Sequence, residues 1–324
     1  MPSPLHVSPD PAIDVRHLTK IYQRAGQPSV RAVDGLTFAV ARGSIFGLLG
    51  PNGAGKSTTL RVLTTQMRPT SGTATVAGFD VARQPLDVRR RIAVVIQEQA
   101  ADLLLSARDN LSGFARFHGL APEAIRRRTD RVLADFDLRE HAGRKVQDMS
   151  GGFRRRVQVA KIFMVDTPVV FLDEFSTGMD PILKRSVMSA LRAEAERGRT
   201  IVLTTQILSE AEALCDDILI VNQGREVARG DLHALKLLSS SVYEVSLTFE
   251  SLPDGLEAEL RARNPLRLSI GRSTVQIALK ESEQDVLALV SRLAARGRIL
   301  RIEVGGASLE DVFVELTAPT KEAP

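Results

Sequence analysis

Gly50-Pro51-Asn52-Gly53-Ala54-Gly55-Lys56-Ser57-Thr58 decides how the rest of the chain is read. The spacing G-x-x-x-x-G-K-[ST] is that of a phosphate-binding loop. A triphosphate needs a concave array of backbone N–H groups that comes close, and glycines allow that approach because they lack a Cβ. Lys56 brings a point charge to the β- and γ-phosphates, and the Ser57 hydroxyl suits Mg²⁺, a hard cation that prefers oxygen. The flanks fit this reading. Residues 44–49, Ser-Ile-Phe-Gly-Leu-Leu, predict a buried strand, and Ser57 to Leu63 predict a helix. The amino end of that helix points its partial positive charge at the phosphates.

Working outward, the chain has 324 residues, of which 44% are hydrophobic and 25% charged. Those values suit a globular chain with one large domain and a smaller one. A net charge of +4 is small for this length, so composition gives no reason to expect a nucleic-acid partner. The single cysteine, Cys215, excludes an internal disulfide and suits a reducing cytosol. It is expected on an apolar helix face, packed rather than reactive. No apolar run approaches the length of a membrane span. Ala160 to Leu172 comes nearest and is broken by Lys161, Asp166 and Pro168. Residues 1–12 hold Pro2, Pro4, Pro9 and Pro11 without the ordered regions of a secretion signal, and are expected to form a flexible tail.

Short apolar runs alternate with helical patterns up to about residue 230. Strands are expected at 13–18, 36–40, 44–49, 73–76, 92–96, 169–172, 200–204, 218–221 and 226–228. Helices are expected at 57–63, 153–165, 181–197 and 209–214. Residues 98–148 differ: helices at 107–118 and 122–135 read as an insertion, the second carrying Arg126, Arg127, Arg128 and Arg131 on a solvated face. The alternation predicts an α/β fold with a mainly parallel sheet covered on both faces. Ligands of such a sheet gather at the carboxyl ends of its strands. Residues 13–238 are read as a nucleotide-binding domain and Ser239-Ser240-Ser241 as a linker. Residues 242–324 are read as an α+β accessory domain without catalytic residues, having strands at 243–249, 268–270, 275–279 and 299–304 and helices at 285–295 and 308–316.

A second phosphate-chemistry signal is Asp173-Glu174, directly after the apolar run Val169-Val170-Phe171-Leu172. An Asp at a strand end holds Mg²⁺ directly or through water, and a neighbouring Glu polarises the attacking water as general base. Three further stretches fall in order around it. They are Met149-Ser150-Gly151-Gly152-Phe153-Arg154-Arg155-Arg156, Phe175-Ser176-Thr177-Gly178-Met179-Asp180-Pro181, and Thr204-Thr205-Gln206-Ile207-Leu208-Ser209-Glu210-Ala211-Glu212. With these motifs in this order, residues 13–230 resemble the nucleotide-binding subunit of ATP-binding-cassette (ABC) transporters, a P-loop NTPase with a helical insertion. Residues 149–156 resemble the family signature, 171–181 its second nucleotide motif and D-loop with Asp180, and 204–212 its switch region. Residues 307–317 resemble the ending of accessory domains in bacterial drug and antibiotic exporters of the daunorubicin-resistance type.

The resemblance implies ATP and Mg²⁺ as ligands. Tyr22 would stack on adenine; residues 50–58 would hold the phosphates; Ser57, Asp173 and the Q-loop glutamine Gln97 would serve the metal; and Glu174, Gln97 and Gln206 would surround the γ-phosphate. Ser150, Gly151 and Gly152 would complete the site of a second subunit in trans, an arrangement that suits a hydroxyl and amides at a helix start. A separately encoded permease would supply the membrane pathway and hold the chain at the cytoplasmic face, with Gln97 and the insertion as its contacts. Three positions depart from the family pattern. Gln206 stands for the switch histidine and cannot become cationic; Phe153 stands for the signature glutamine; Phe175 stands for a common proline. With Glu174 retained, slow hydrolysis is expected. A non-transport cassette acting in DNA repair or translation, and a binding-only ATP switch, are the alternatives. One phosphate loop without a heptad run favours transport.

Overall fold

The computed structural model describes residues 10–23, 26, 28–95, 101–238, 242–306 and 308–317. The chain divides into two compact units, residues 1–229 and 230–324.

In chain order, the strands of the first unit are β1 (Ile13–Tyr22), β2 (Val30–Val40), β3 (Ile45–Leu49), β4 (Ser71–Val76), β5 (Phe79–Asp80), β6 (Ile92–Val95), β7 (Val169–Asp173), β8 (Thr200–Thr204), β9 (Asp217–Asn222) and β10 (Arg225–Gly230), the last ending at the first residue of the second unit. Its helices are α1 (Lys56–Leu63), α2 (Pro85–Arg90), α3 (Ala107–Phe117), α4 (Pro122–Asp135), α5 (Gly151–Ala160), α6 (Pro181–Glu196) and α7 (Leu208–Leu214).

Six strands form one sheet in the order β10-β9-β3-β8-β7-β6. The pairs β6–β7, β7–β8, β8–β3 and β3–β9 are parallel. Every residue of β3, β7 and β8 is buried, which explains their unbroken apolar runs: both faces are covered. The expected single sheet is corrected here. Strands β2-β1-β4-β5 form a separate antiparallel sheet. Their alternating pattern buries one face, with Ile13, Val15, Leu36, Phe38 and Val40 in one core with Phe46 and Leu60. The Phe38 and Phe46 rings stack with centroids 5.3 Å apart and tie the two sheets together.

Several boundaries also move. β1 continues to Tyr22 instead of stopping at Leu18, through a register shift at His17, whose φ is 48°. The expected helix 153–165 starts earlier, at Gly151, and ends at Ala160; residues Lys161–Met164 tighten into a 3₁₀ turn against α3 and α4. Cys215 lies just past the end of α7 and is buried. Burial, with Asp216 nearby, pushes its thiol up to about 12. A Cβ on Gly47 would sit 2.7 Å from its sulfur, so the cysteine fills the space that this glycine leaves. Among the expected solvated arginines, Arg128 is tied down by Asp166 and the Met164 carbonyl.

The second unit holds α8 (Leu232–Leu237), β11 (Val242–Phe249), α9 (Leu256–Arg261), β12 (Arg267–Ile270), β13 (Thr274–Lys280), α10 (Glu283–Arg296), β14 (Ile299–Gly306) and α11 (Leu309–Thr317). The helix α8, which the sequence reading assigns to the first domain, packs with α11. An antiparallel sheet in the order β12-β13-β11-β14 packs Val245, Leu247, Phe249, Val275 and Ile277 against Leu256, Leu260, Val286, Leu289 and Leu293 of α9 and α10. No helix among the described residues is long and apolar enough to cross a membrane.

Candidate active site

Because β3, β8 and β7 are parallel neighbours, their carboxyl ends lie side by side: Leu48 pairs with Thr204, and Thr204 with Asp173. The glycine loop leaves β3 and enters α1 at Lys56. Gly55 at the start of α1 has φ 102°, and a Cβ there would lie 2.2 Å from the Ala32 carbonyl oxygen of β2. This position needs glycine both for its left-handed backbone and for the close approach of β2.

Lys56 is buried. Its ammonium donates to the Gly50 carbonyl at 2.6 Å and the Pro51 carbonyl at 3.0 Å, so the loop closes over the charge. Burial lowers its pKa, opposed by the negative charges of Glu174 and Asp173. The Ser57 hydroxyl donates to Asp173 Oδ2 at 3.4 Å, while Thr204 Oγ1 donates to Asp173 Oδ1. Two side-chain oxygens thus converge from α1 and β7. No group of three or more His, Cys, Asp or Glu is placed to hold a metal ion among the described residues. This sparse set of oxygens fits Mg²⁺, which keeps several waters and takes the remaining ligands from phosphate, rather than a metal needing a full protein cage.

Glu174 follows β7 with φ 47°, an unusual left-handed backbone for a side chain of this size. Its N–H donates to the Thr204 carbonyl at 3.0 Å, and its Oε1 accepts from the Gln206 side-chain amide. The Tyr22 hydroxyl lies 3.2 Å from Thr58 Oγ1, so this ring stands beside the end of the phosphate loop. Gln97 lies outside the described residues.

Ser150 caps α5, its hydroxyl accepting from the Phe153 N–H at 3.5 Å, and Ser150 and Gly151 are exposed. No hydrogen bond among the described residues joins Ser150, Gly151 or Gly152 to the phosphate loop of the same chain. Gly152 instead approaches the turn before α6: a Cβ there would lie 3.0 Å from the Gly178 carbonyl oxygen. Asp180 caps α6, accepting from the Leu183 N–H at 2.9 Å and from Arg156 at 2.7 Å. The Leu183 N–H, foremost, and Arg156 lower its pKa. The Phe153 ring lies between His141 and Arg156, with ring centroids 4.4 Å apart and the guanidinium 4.7 Å from its centre. Phe175 is fully buried.

Sequence reasoning missed Arg155. This buried side chain donates to the main-chain carbonyls of Asp173 at 2.7 Å, Glu174 at 2.6 Å and Phe175 at 2.9 Å, and to Gln158 Oε1 at 2.8 Å. It therefore fastens α5 to the backbone carrying the acidic pair. The signal was present: Arg155 stands four residues before the buried Val159, on the same helix face. Glu210, within the stretch 204–212, is a second residue whose part is not evident from the sequence. It is a buried carboxylate accepting from Thr205 at 2.8 Å, Lys184 at 2.6 Å and Ser176 Oγ, and it fixes the start of α7 behind Gln206.

A buried ammonium under a glycine loop, an acidic pair at a neighbouring strand end, and an amide held on the second carboxylate converge at the carboxyl end of the parallel sheet, an arrangement that suits the phosphates of a nucleotide. A family model described as ABC transporter matches residues 33–177. The chain is 36% identical over 318 residues to the daunorubicin/doxorubicin resistance ATP-binding protein DrrA of Streptomyces peucetius, covering 97% of this chain and 94% of that protein. It is also 36% identical over 311 residues to the Nod factor export ATP-binding protein I of Ralstonia nicotianae, covering 95% and 94%. A solved ATP-binding subunit of an ABC transporter superposes with a TM-score of 0.65 at 28% identity, covering 71% of this chain and 93% of the other. The chain belongs to the ABC transporter family. It is an ATP-binding subunit with a P-loop NTPase core, an ATPase whose hydrolysis is coupled to transport.

Proposed function

We propose that this subunit energises export of a drug, antibiotic or lipid-like compound through a separate membrane permease, working in pairs at the cytoplasmic face of the membrane. The names of both relatives, one in drug resistance and one in Nod factor export, support an export role. Support for a membrane partner comes from the surface of the first unit. A cleft of about 490 Å³ is lined by Leu86, Arg89, Arg90, Phe117, His118 and Gly119. Phe117 is 94% exposed there and Leu86 63%. Exposed apolar side chains flanked by arginines suit a partner helix at a membrane surface.

In this reading the loop amides of residues 50–58 and Lys56 hold the phosphates, and Tyr22 stacks on adenine. Ser57 and Asp173, with Gln97, would hold Mg²⁺, which when bound neutralises charge on the β- and γ-phosphate oxygens. Glu174 accepts the proton of the attacking water. Ser150, Gly151 and Gly152 of a second subunit close the site, a reading supported by the exposure of Ser150 and Gly151 at the start of α5. Asp180 holds the D-loop against Arg156 at that junction.

The observation that carries the account is the Gln206 amide bonded to the Glu174 carboxylate. An amide orients the base but cannot add positive charge as the γ-phosphate departs. Hydrolysis is therefore slow. Gln206→His in the permease-bound protein is expected to raise kcat several-fold with little change in KM for ATP. A wild-type rate typical of the family, unchanged in Gln206→His, would sink this reading.

A further inference from the structure

Strand β14 lies at the edge of the accessory sheet, paired on one side with β11. All of its residues but Ile299 are exposed. Ile302 stands opposite Leu247 and Val304 opposite Val245, so these side chains share the face that forms the unit's core. Leu247 and Val245 are fully buried, yet Ile302 is 49% exposed and Val304 43%. The core face therefore runs out over β14 without cover from α9 or α10. An uncovered edge with apolar side chains is a template for another strand.

The charges on β14 say which strand. Arg301 and Glu303 flank Ile302 and pair with each other within the chain. If a second β14 runs antiparallel about a two-fold axis through Ile302, Arg301 of each copy stands opposite Glu303 of the other, and the two Ile302 side chains meet. Moving the axis to residue 301 or 303 sets like charges opposite each other, which is unfavourable. The strand is thus complementary to itself in one register, as an isologous contact requires. We propose that β14 is a self-pairing surface through which the accessory units of two copies of this chain join edge to edge, merging two four-stranded sheets into one of eight. This contact needs no nucleotide and requires two identical chains, so it selects a homodimer over a heterodimer.

The test uses the full chain, free of nucleotide, with Ile302→Cys and mild oxidation. Residues directly opposite in an antiparallel pair lie close enough for a disulfide. The native Cys215 does not compete, because it is buried and its thiol is pushed up to about 12. A disulfide-linked dimer on a non-reducing gel is expected. Adding Arg301→Glu or Glu303→Arg alone makes both symmetry-related contacts repulsive and weakens association about tenfold. Combining the two reversals restores the crosslink. A chain that stays monomeric under oxidation would overturn the proposal, as would crosslinking indifferent to the charge reversals. Circular dichroism of each variant separates lost pairing from lost folding, and a folded single reversal that still crosslinks fully counts against the proposal.

Discussion

Arg155→Met keeps a long aliphatic stem and removes the guanidinium that holds the end of β7. Three main-chain carbonyls, those of Asp173, Glu174 and Phe175, lose a donor. A buried acceptor left unsatisfied costs about 1–3 kcal/mol. Part of that loss is offset, because burying the guanidinium is itself unfavourable, as its lowered pKa records. The balance is a destabilisation of about 3 kcal/mol, at the lower end for removing one side of a buried charged network. For a unit of 229 residues this lowers Tm by about 6–12 °C. The same change frees the left-handed backbone of Glu174, so kcat should fall about tenfold with a smaller change in KM for ATP. Arg155→Lys should recover only part of either effect, since one ammonium cannot span three carbonyls. Calorimetry of the first unit's transition and steady-state ATPase below it give both numbers. A variant melting within about 1 °C of the parent with unchanged kcat would refute the fastening role.

Lys161, in the 3₁₀ turn behind α5, has its pKa lowered to about 8 by burial, against the opposing charge of Asp102. Unfolded, it holds its proton up to 10.5. Between those values the unfolded chain binds more protons, so this group makes stability rise with pH across that window. The charged folded form costs about 3 kcal/mol below it. Lys161→Met should remove the rise, as urea melts on both sides of the window would read. Gly55→Ala should fold but bind ATP at least about tenfold more weakly, because its Cβ would press on the Ala32 carbonyl. Nucleotide titration checks this.

What the sequence disclosed was set by how local each signal is. The phosphate loop is contiguous, and so are the apolar run before it and the helical pattern after it, so strand, loop and helix are legible together. Helix α4 was expected over 122–135 and found there, because Pro122 fixes its first turn and the apolar period runs to Leu133. The division into two sheets was hidden: alternation in β1 and β2 marks half-buried strands but does not name their partners. Thr204 and Arg155 were hidden for the same reason, since each acts on Asp173 or its backbone from a distant segment. The contacts across the D-loop came from the structure, where the motif names alone gave no geometry.

If ATP gripped by one copy is sealed by the signature of another, two variants disabled at different places should rescue each other when mixed. Lys56→Ala removes the grip and Gly151→Asp blocks the seal, so each alone should lack ATPase activity. In a mixed pair, the intact loop of the second variant meets the intact signature of the first. Equimolar mixing should restore about a quarter of the parent rate, because half the pairs are mixed and each holds one whole site. A mixture as inactive as its components, or a Gly151→Asp protein that hydrolyses ATP normally alone, would contradict the account.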